Sequence, residues 1–448
     1  MSTSMHISDA AAAVRSISYR IACRDSVAKD RAIFAAPLEF VVDSPCLELA
    51  YVPPLRAEVE CTQVYTREST STYVNRLSTA GVSIIVKVWA IVRSRSRAKD
   101  ANIDDGLLAE HEVEVRYLLL LTAMMQAGFL DAATIPIGMF LCDGRTLCDT
   151  GVLLDAQCDA VRADDSLRRS KGQALHQYAL LFAESANSSL TDHLYHSDAI
   201  DIDYWLRAAL LQTCVALANI HATFPSFRHN DLHASNVLIQ RINPLDIRVA
   251  LGDKLKTLEP LYMEYTLGKK RWQIDLDRAP FRCLLWDFSF ASISADDASR
   301  AGIHSHAAPR TTKFGSVVSL SKTNCNQFVD IRQLVDTLRW VLRQNKALWK
   351  HVSVETCALL DSIVPDDMSW ADKSIEDHVK AARQIQVTHG DLQHTSPTML
   401  LLWTDAFDDF CVKTKVRPVY RVAPAKKNTL KNMEFEEFLK SPSLFSSK

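Results

Sequence analysis

Residues 227–239 read FRHNDLHASNVLI. They set His229, Asp231 and Asn236 in the pattern H-x-D-x-x-x-x-N and run directly into Val237, Leu238 and Ile239. An apolar, partly β-branched triplet behind a polar loop predicts a short buried strand that pins the loop. A carboxylate followed five residues on by an amide oxygen, both on a pinned loop, suits transfer of a phosphoryl group to a hydroxyl. The carboxylate, Asp231, would lie beside the acceptor hydroxyl, and the amide oxygen of Asn236 on a magnesium ion.

The flanking sequence supports the same chemistry. Upstream, the spacing of Trp205, Ala208, Leu211, Val215, Leu217 and Ile220 predicts a helix over 203–222 that stops against Pro225. Downstream, Asp287 stands in CLLWDFSF behind an apolar run. Alone it reads as a turn or cap residue; after the Asp231 loop it is a second oxygen donor from a separate loop, which suits Mg2+. His229 reads as a structural histidine beneath the loop. His233 reads equally as an exposed loop residue or as a cation near a transferred phosphate.

Nearer the N-terminus, residues 64–65 and 73–74 predict strands around a Ser/Thr-rich turn, and VSIIVKVWAIV over 82–92 is a β-branched run enclosing Lys87. The plain reading of Lys87 is an edge-strand lysine in solvent. The sharper one is a lysine on nucleotide phosphates, which requires a carboxylate on the next helix. That helix is expected over 109–125 and offers Glu110, Glu112 and Glu114, with Glu112 ranked first and Glu114 second. A further strand is expected over 136–142, a polar insertion over 144–173, and an apolar run at 179–183.

Composition agrees with a globular chain: 48% hydrophobic and 23% charged residues over 448 positions. A formal net charge of −2 argues against a dedicated nucleic-acid partner. The eleven cysteines include no CxxC pair and read as reduced thiols of a cytosol-like compartment. No stretch reads as a membrane span or a signal peptide. The chain is therefore expected to be soluble and cytoplasmic. Nothing in it points to an oligomeric state. The basic clusters at 93–99 and 269–271 read as solvated surface.

HNDLHASN with WDFS, Lys87 and the acidic helix behind it resembles the protein-kinase-like superfamily. The likeness is greatest to the serine/threonine kinase-like proteins of large nucleocytoplasmic DNA viruses, of iridovirus and mimivirus type and more distantly the poxvirus virion kinase. It covers roughly residues 58–420 and extends to a later helix opened by Asn326 and Asp330 and a C-terminal helix near 397–410.

The resemblance implies an α+β, bilobal fold with a small antiparallel β-rich N-lobe and a larger helical C-lobe, and a cleft between them. It divides the chain into an N-terminal extension (1–57), an N-lobe with its insertion (58–185), a C-lobe with an insert at about 241–280 (186–420) and a tail (421–448). It implies ATP and Mg2+ as cofactors, Ser/Thr of a protein as acceptor, no nucleic acid or membrane partner, and a host cytoplasm or virion as location. Asp231, Lys87 and Asn236 would be catalytic; Asn236 and Asp287 would hold the metal. Lys87, Glu112, Glu184 of the 182–194 connector, Ser69 and Thr72 would contact the nucleotide.

Several positions depart from ordinary kinases. The glycine positions of a phosphate-covering loop fall on Arg67, Ser69 and Thr72, where only small hydroxyls replace close backbone approach. Asn230 stands for the arginine of H-R-D, so activation through a phosphate paired to that arginine is not expected, and Ser289 stands for the glycine of D-F-G. A hairpin is expected near 261–274. Two alternatives share these residues: a pseudokinase scaffold without turnover, and a small-molecule kinase of aminoglycoside or choline type.

Overall fold

The computed structural model describes residues 44–45, 60–66, 72–79, 82–91, 110–126, 130, 132–173, 175–196, 201–245, 261–267, 269–293, 327–364, 396–403, 406–412 and 420–422. Expectations for Ser69, Asn326, the 93–99 cluster and the tail beyond 422 lie outside these residues. The fold is α+β, and the chain divides into two compact units, one of 20–119 with 134–185, the other of 1–19, 120–133 and 186–448.

The first unit is built on a six-stranded sheet. In chain order its strands are β1 (Ser44–Pro45), β2 (Glu60–Thr66), β3 (Thr72–Thr79), β4 (Val82–Ile91), β5 (Pro136–Asp143) and β6 (Gln177–Glu184). They lie in the order β1-β5-β6-β4-β3-β2. All pairings are antiparallel except β1 with β5. Side chains alternate across a strand, and β4 shows what that does. Ile84, Val86 and Val88 enter a core with Leu77, Tyr178, Leu180 and Phe182; Lys87 takes the opposite face.

That core is closed by residues 144–170, which form α2 (Gly144–Asp149) and α3 (Asp155–Ser170) after α1 (Glu110–Gln126). Leu147, Cys148, Val152, Leu153, Cys158 and Val161 join the sheet residues. The insertion expected to be polar thus has an apolar inner side, though Thr150, Gln157 and Asp165 are buried there as well. Asn75 fixes it from the sheet, donating to Val152 O at 2.8 Å and exchanging bonds with the Gln157 amide at 2.7 and 3.1 Å.

In the second unit, β7 (Ser188–Ser189) leads into α4 (Leu190–His196) and the long α5 (Ile202–Thr223). After the 227–239 loop come β8 (Val237–Arg241), β9 (Tyr262–Leu267), β10 (Lys270–Asp275) and β11 (Phe281–Leu285). The helices α6 (Phe328–Gln344), α7 (Lys346–Trp349), α8 (Val354–Ile363) and α9 (Pro397–Trp403) follow, and then β12 (Tyr420–Val422). β9 and β10 are an antiparallel hairpin, widened by β12 parallel to β9.

Buried α5 carries Gln212, whose amide oxygen accepts from Tyr265 OH at 3.0 Å and Cys283 N at 2.9 Å. The polar interruption of that apolar helix thus ties it to two strands. Arg271 and Lys270 are engaged by Glu264 and Asp408. Among the described residues no helix is long and apolar enough to cross a membrane. Seven of the described cysteines are free thiols, but Cys142 is disulfide-bonded. This corrects the expectation of reduced thiols throughout.

Candidate functional site

Strands β8 and β11 pair antiparallel from Phe281↔Arg241 to Leu285↔Val237. One step further along the ladder, Trp286 N donates to Asn236 O at 3.0 Å. Register alone therefore sets Asn236 opposite Trp286 and next to Asp287. The Asn236 side chain turns back on its own loop, donating through Nδ2 to Asp231 O at 2.8 Å. A carbonyl can only accept, so the amide nitrogen is committed and Oδ1 is the atom left to face a cation.

Residues 286–292 are held one after another by the 227–236 loop. His229 donates through Nε2 to Trp286 O at 2.9 Å, and its ring lies 4.8 Å from that of Phe288. Burial pushes the His229 imidazole down to about 4, so it is a neutral structural group. Asp287 adopts φ 63°, a left-handed conformation that Asp and Asn tolerate better than other side chains. Ser289 donates its hydroxyl to Asp287 Oδ1 at 2.7 Å. Ser289 thus orients the Asp287 carboxylate.

Asp231 keeps its side chain 15% exposed, with His233 Nε2 at 3.7 Å and Gln333 Nε2 at 3.5 Å. His233 Nδ1 accepts from Ser235 N, which in the neutral ring leaves the proton on Nε2, toward Asp231. From below, α6 presents polar residues to the loop backbone. Asp330 accepts from His229 N at 2.8 Å and Asn230 N at 2.9 Å, and Thr337 accepts from Ala234 N at 3.0 Å. Burial raises the Asp330 carboxyl to about 6 despite those two N–H bonds. The sequence marks Asp330 through its helix pattern. Gln333 and Thr337 carry no such mark, and only their spacing from Asp330 on one helix face exposes them.

In the first unit, Lys87 Nζ lies 2.7 Å from Glu114 Oε2, and both side chains are buried. The Lys87 ammonium also lies 4.9 Å from the centre of the Trp89 ring. The carboxylate that meets Lys87 is thus Glu114, ranked second, in place of Glu112, whose side chain is outside the described residues. Thr72 opens β3 opposite Trp89. Glu184 ends β6 with its carboxylate accepting from Ile135 N at 3.3 Å.

A carboxylate and an amide oxygen on adjoining loops form a hard donor pair that fits Mg2+. Among the described residues no cluster of three or more metal-binding side chains exists. Such a pair suits a cation that takes its remaining ligands from water and phosphate.

No family model matches the chain. It is similar to a protein of Acanthamoeba polyphaga mimivirus described as a "putative serine/threonine-protein kinase", 24% identical over 304 residues. The match takes in 66% of this chain and 59% of that protein's length.

Proposed function

We propose that this protein is an ATP- and Mg2+-dependent phosphotransferase that modifies Ser/Thr hydroxyls of proteins, as a divergent kinase-like protein of viral type. The observation that carries the reading is the ladder register, which brings Asn236 and Asp287 to one strand end while Asp231 holds the Asn236 amide. A loop built for structure alone has no need to gather these three polar groups.

In this reading Asp231 orients the acceptor hydroxyl and takes its proton, with Gln333 and His233 on either side of the carboxylate. The acceptor oxygen forms its bond to the γ-phosphorus as the bond to the β,γ-bridging oxygen breaks, and ADP departs with that electron pair. Asn236 and Asp287 would hold Mg2+, which neutralises charge on the phosphate oxygens when bound. Lys87, its ammonium oriented by Glu114, would bind the phosphates of ATP. Thr72, Ser69 and the 182–194 connector would complete nucleotide binding.

Purified protein is assayed with radiolabelled ATP against protein mixtures and small alcohols. Asp231→Asn is expected to lower transfer by about 10²–10⁴-fold. Wild-type transfer by that variant would remove the reading, and transfer confined to small alcohols would move the substrate class. A non-catalytic binding role is favoured by one observation, the lack of glycine at positions 67, 69 and 72. Its signature is Mg2+-dependent ATP binding without transfer to any acceptor, the protein itself included.

A further inference from the structure

Asn230 has no part in the chemistry above, yet it is 5% exposed and lies in the left-handed region at φ 62°. Its backbone N–H is fixed on Asp330, and its side chain points the other way, toward the segment behind Asp287. Nδ2 donates to Phe290 O at 2.8 Å and to Ser292 Oγ at 2.9 Å. Because Phe290 O is purely an acceptor, the amide can be oriented only with its nitrogen there. Alongside, Arg228 and Ser292 exchange both backbone hydrogen bonds at 2.9 Å. Ahead of Asp287 the two loops are joined by the His229 and Trp286 bonds described above; behind it they are closed on each other through the Asn230 side chain and a two-bond bridge.

We propose that Asn230 is a positioning residue for the metal-binding carboxylate: it anchors Phe290 and Ser292 and thereby holds Asp287 in its left-handed conformation beside Asn236. This rests on the phosphotransferase reading of Asp287. Two features set the consequence. A non-glycine residue at positive φ relaxes unless its surroundings fix it. A neutral amide bonded to a carbonyl and a hydroxyl also needs no counter-charge, so the latch stands closed without a phosphorylated side chain.

The test uses the full chain, with Mn2+ as the metal probe and ATP present, and reads free Mn2+ by electron paramagnetic resonance. Asp287→Ala is the control, and melting curves check folding. Asn230→Gly keeps the backbone free to adopt positive φ and removes only the side chain. It is expected to weaken Mn2+ binding about tenfold, as the loss of two neutral hydrogen bonds implies, and to leave metal-free ATP binding unchanged. Asn230→Asp keeps the shape but offers no donor, and is expected to weaken Mn2+ binding likewise.

Ser292→Ala removes one bond and is expected to cost about threefold; it carries the test if the position 230 variants do not fold. Wild-type Mn2+ affinity in Asn230→Gly, or in Ser292→Ala if that variant must serve, overturns the proposal. So does a fall in melting temperature with metal affinity intact, the mark of a purely structural residue. Unchanged Mn2+ affinity in Asp287→Ala overturns the reading of the metal site and this proposal with it. A loss there, with none in the Asn230 variants, overturns this proposal alone.

Discussion

Burying Lys87 is costly unless its ammonium is paired and bonded, and Glu114 supplies the pair. The lysine was visible in the sequence as a lone charge in a β-branched run. Its partner was harder to read, because Glu110, Glu112 and Glu114 alternate along one helix. Positions two apart on a helix lie about 200° apart, so the sequence pattern puts 112 and 114 on different faces. Arg116 follows Glu112 by four, the spacing of a solvent-side pair, whereas Tyr117, Leu118 and Leu121 follow Glu114 by three, four and seven. That contrast was the available signal. A buried pair of this kind seldom adds net stability, which favours a functional reason for it. Lys87→Met or Glu114→Gln alone is expected to destabilise by roughly 3–5 kcal/mol in denaturant melts. Lys87→Met with Glu114→Leu should recover most of that stability while ATP binding, followed by calorimetry, stays lost. A double variant that binds ATP like the wild type would leave Lys87 with no role on the nucleotide.

Elements with strong apolar periods, such as α5 and β4, were legible from spacing alone, because their hydrophobic faces dictate both type and orientation. What spacing hid were polar residues on buried faces. In α6, Asp330, Gln333 and Thr337 fall on one side of the helix, and a polar stripe ordinarily marks solvent. Here it meets the backbone of the 229–234 loop, and Asp330 is 1% exposed. The polar-looking 144–173 segment misled in the same way, since Gln157 is buried against Asn75. Thr337 tests the value of such a contact. Its hydroxyl accepts from Ala234 N and donates back into the helix toward Leu334 O at 2.9 Å. Thr337→Val keeps the shape but leaves the Ala234 N–H without its acceptor. The variant is expected to lose about 1–2 kcal/mol of stability and to exchange the Ala234 amide faster. Exchange at the wild-type rate would mean that Thr337 adds nothing to the hold that Asp330 already has on the loop backbone.

Across the molecule, the coarse α+β composition followed from strand and helix periods, whereas pH response depends on groups that no pattern reveals. His221 and His229 are both buried and both pushed down from 6.5 to about 4 by loss of hydration. Their folded forms bind fewer protons than the unfolded chain between those values. Their contribution to stability is therefore complete above 6.5 and lost as pH falls through 4. Asp330 runs the other way: burial raises it from 3.8 to about 6, so its contribution is complete below 3.8 and lost as pH rises through 6. Each shift corresponds to something on the order of 3 kcal/mol. These two histidines against this carboxylate leave a net loss on acidification; His193, also lowered by burial, adds to it, and Asp165, also raised by burial, offsets it. The window between pH 6.5 and 5 is the informative one, because ordinary carboxylates have yet to titrate there. Urea midpoints are expected to fall across that window in the wild type. His221→Gln takes away one of the two histidine contributions, so its midpoint, though lower at pH 7 through the altered contact with Phe227 O, should fall less steeply. Equal slopes in the two proteins would mean that His221 is not held neutral, and that the acid response arises elsewhere in the chain.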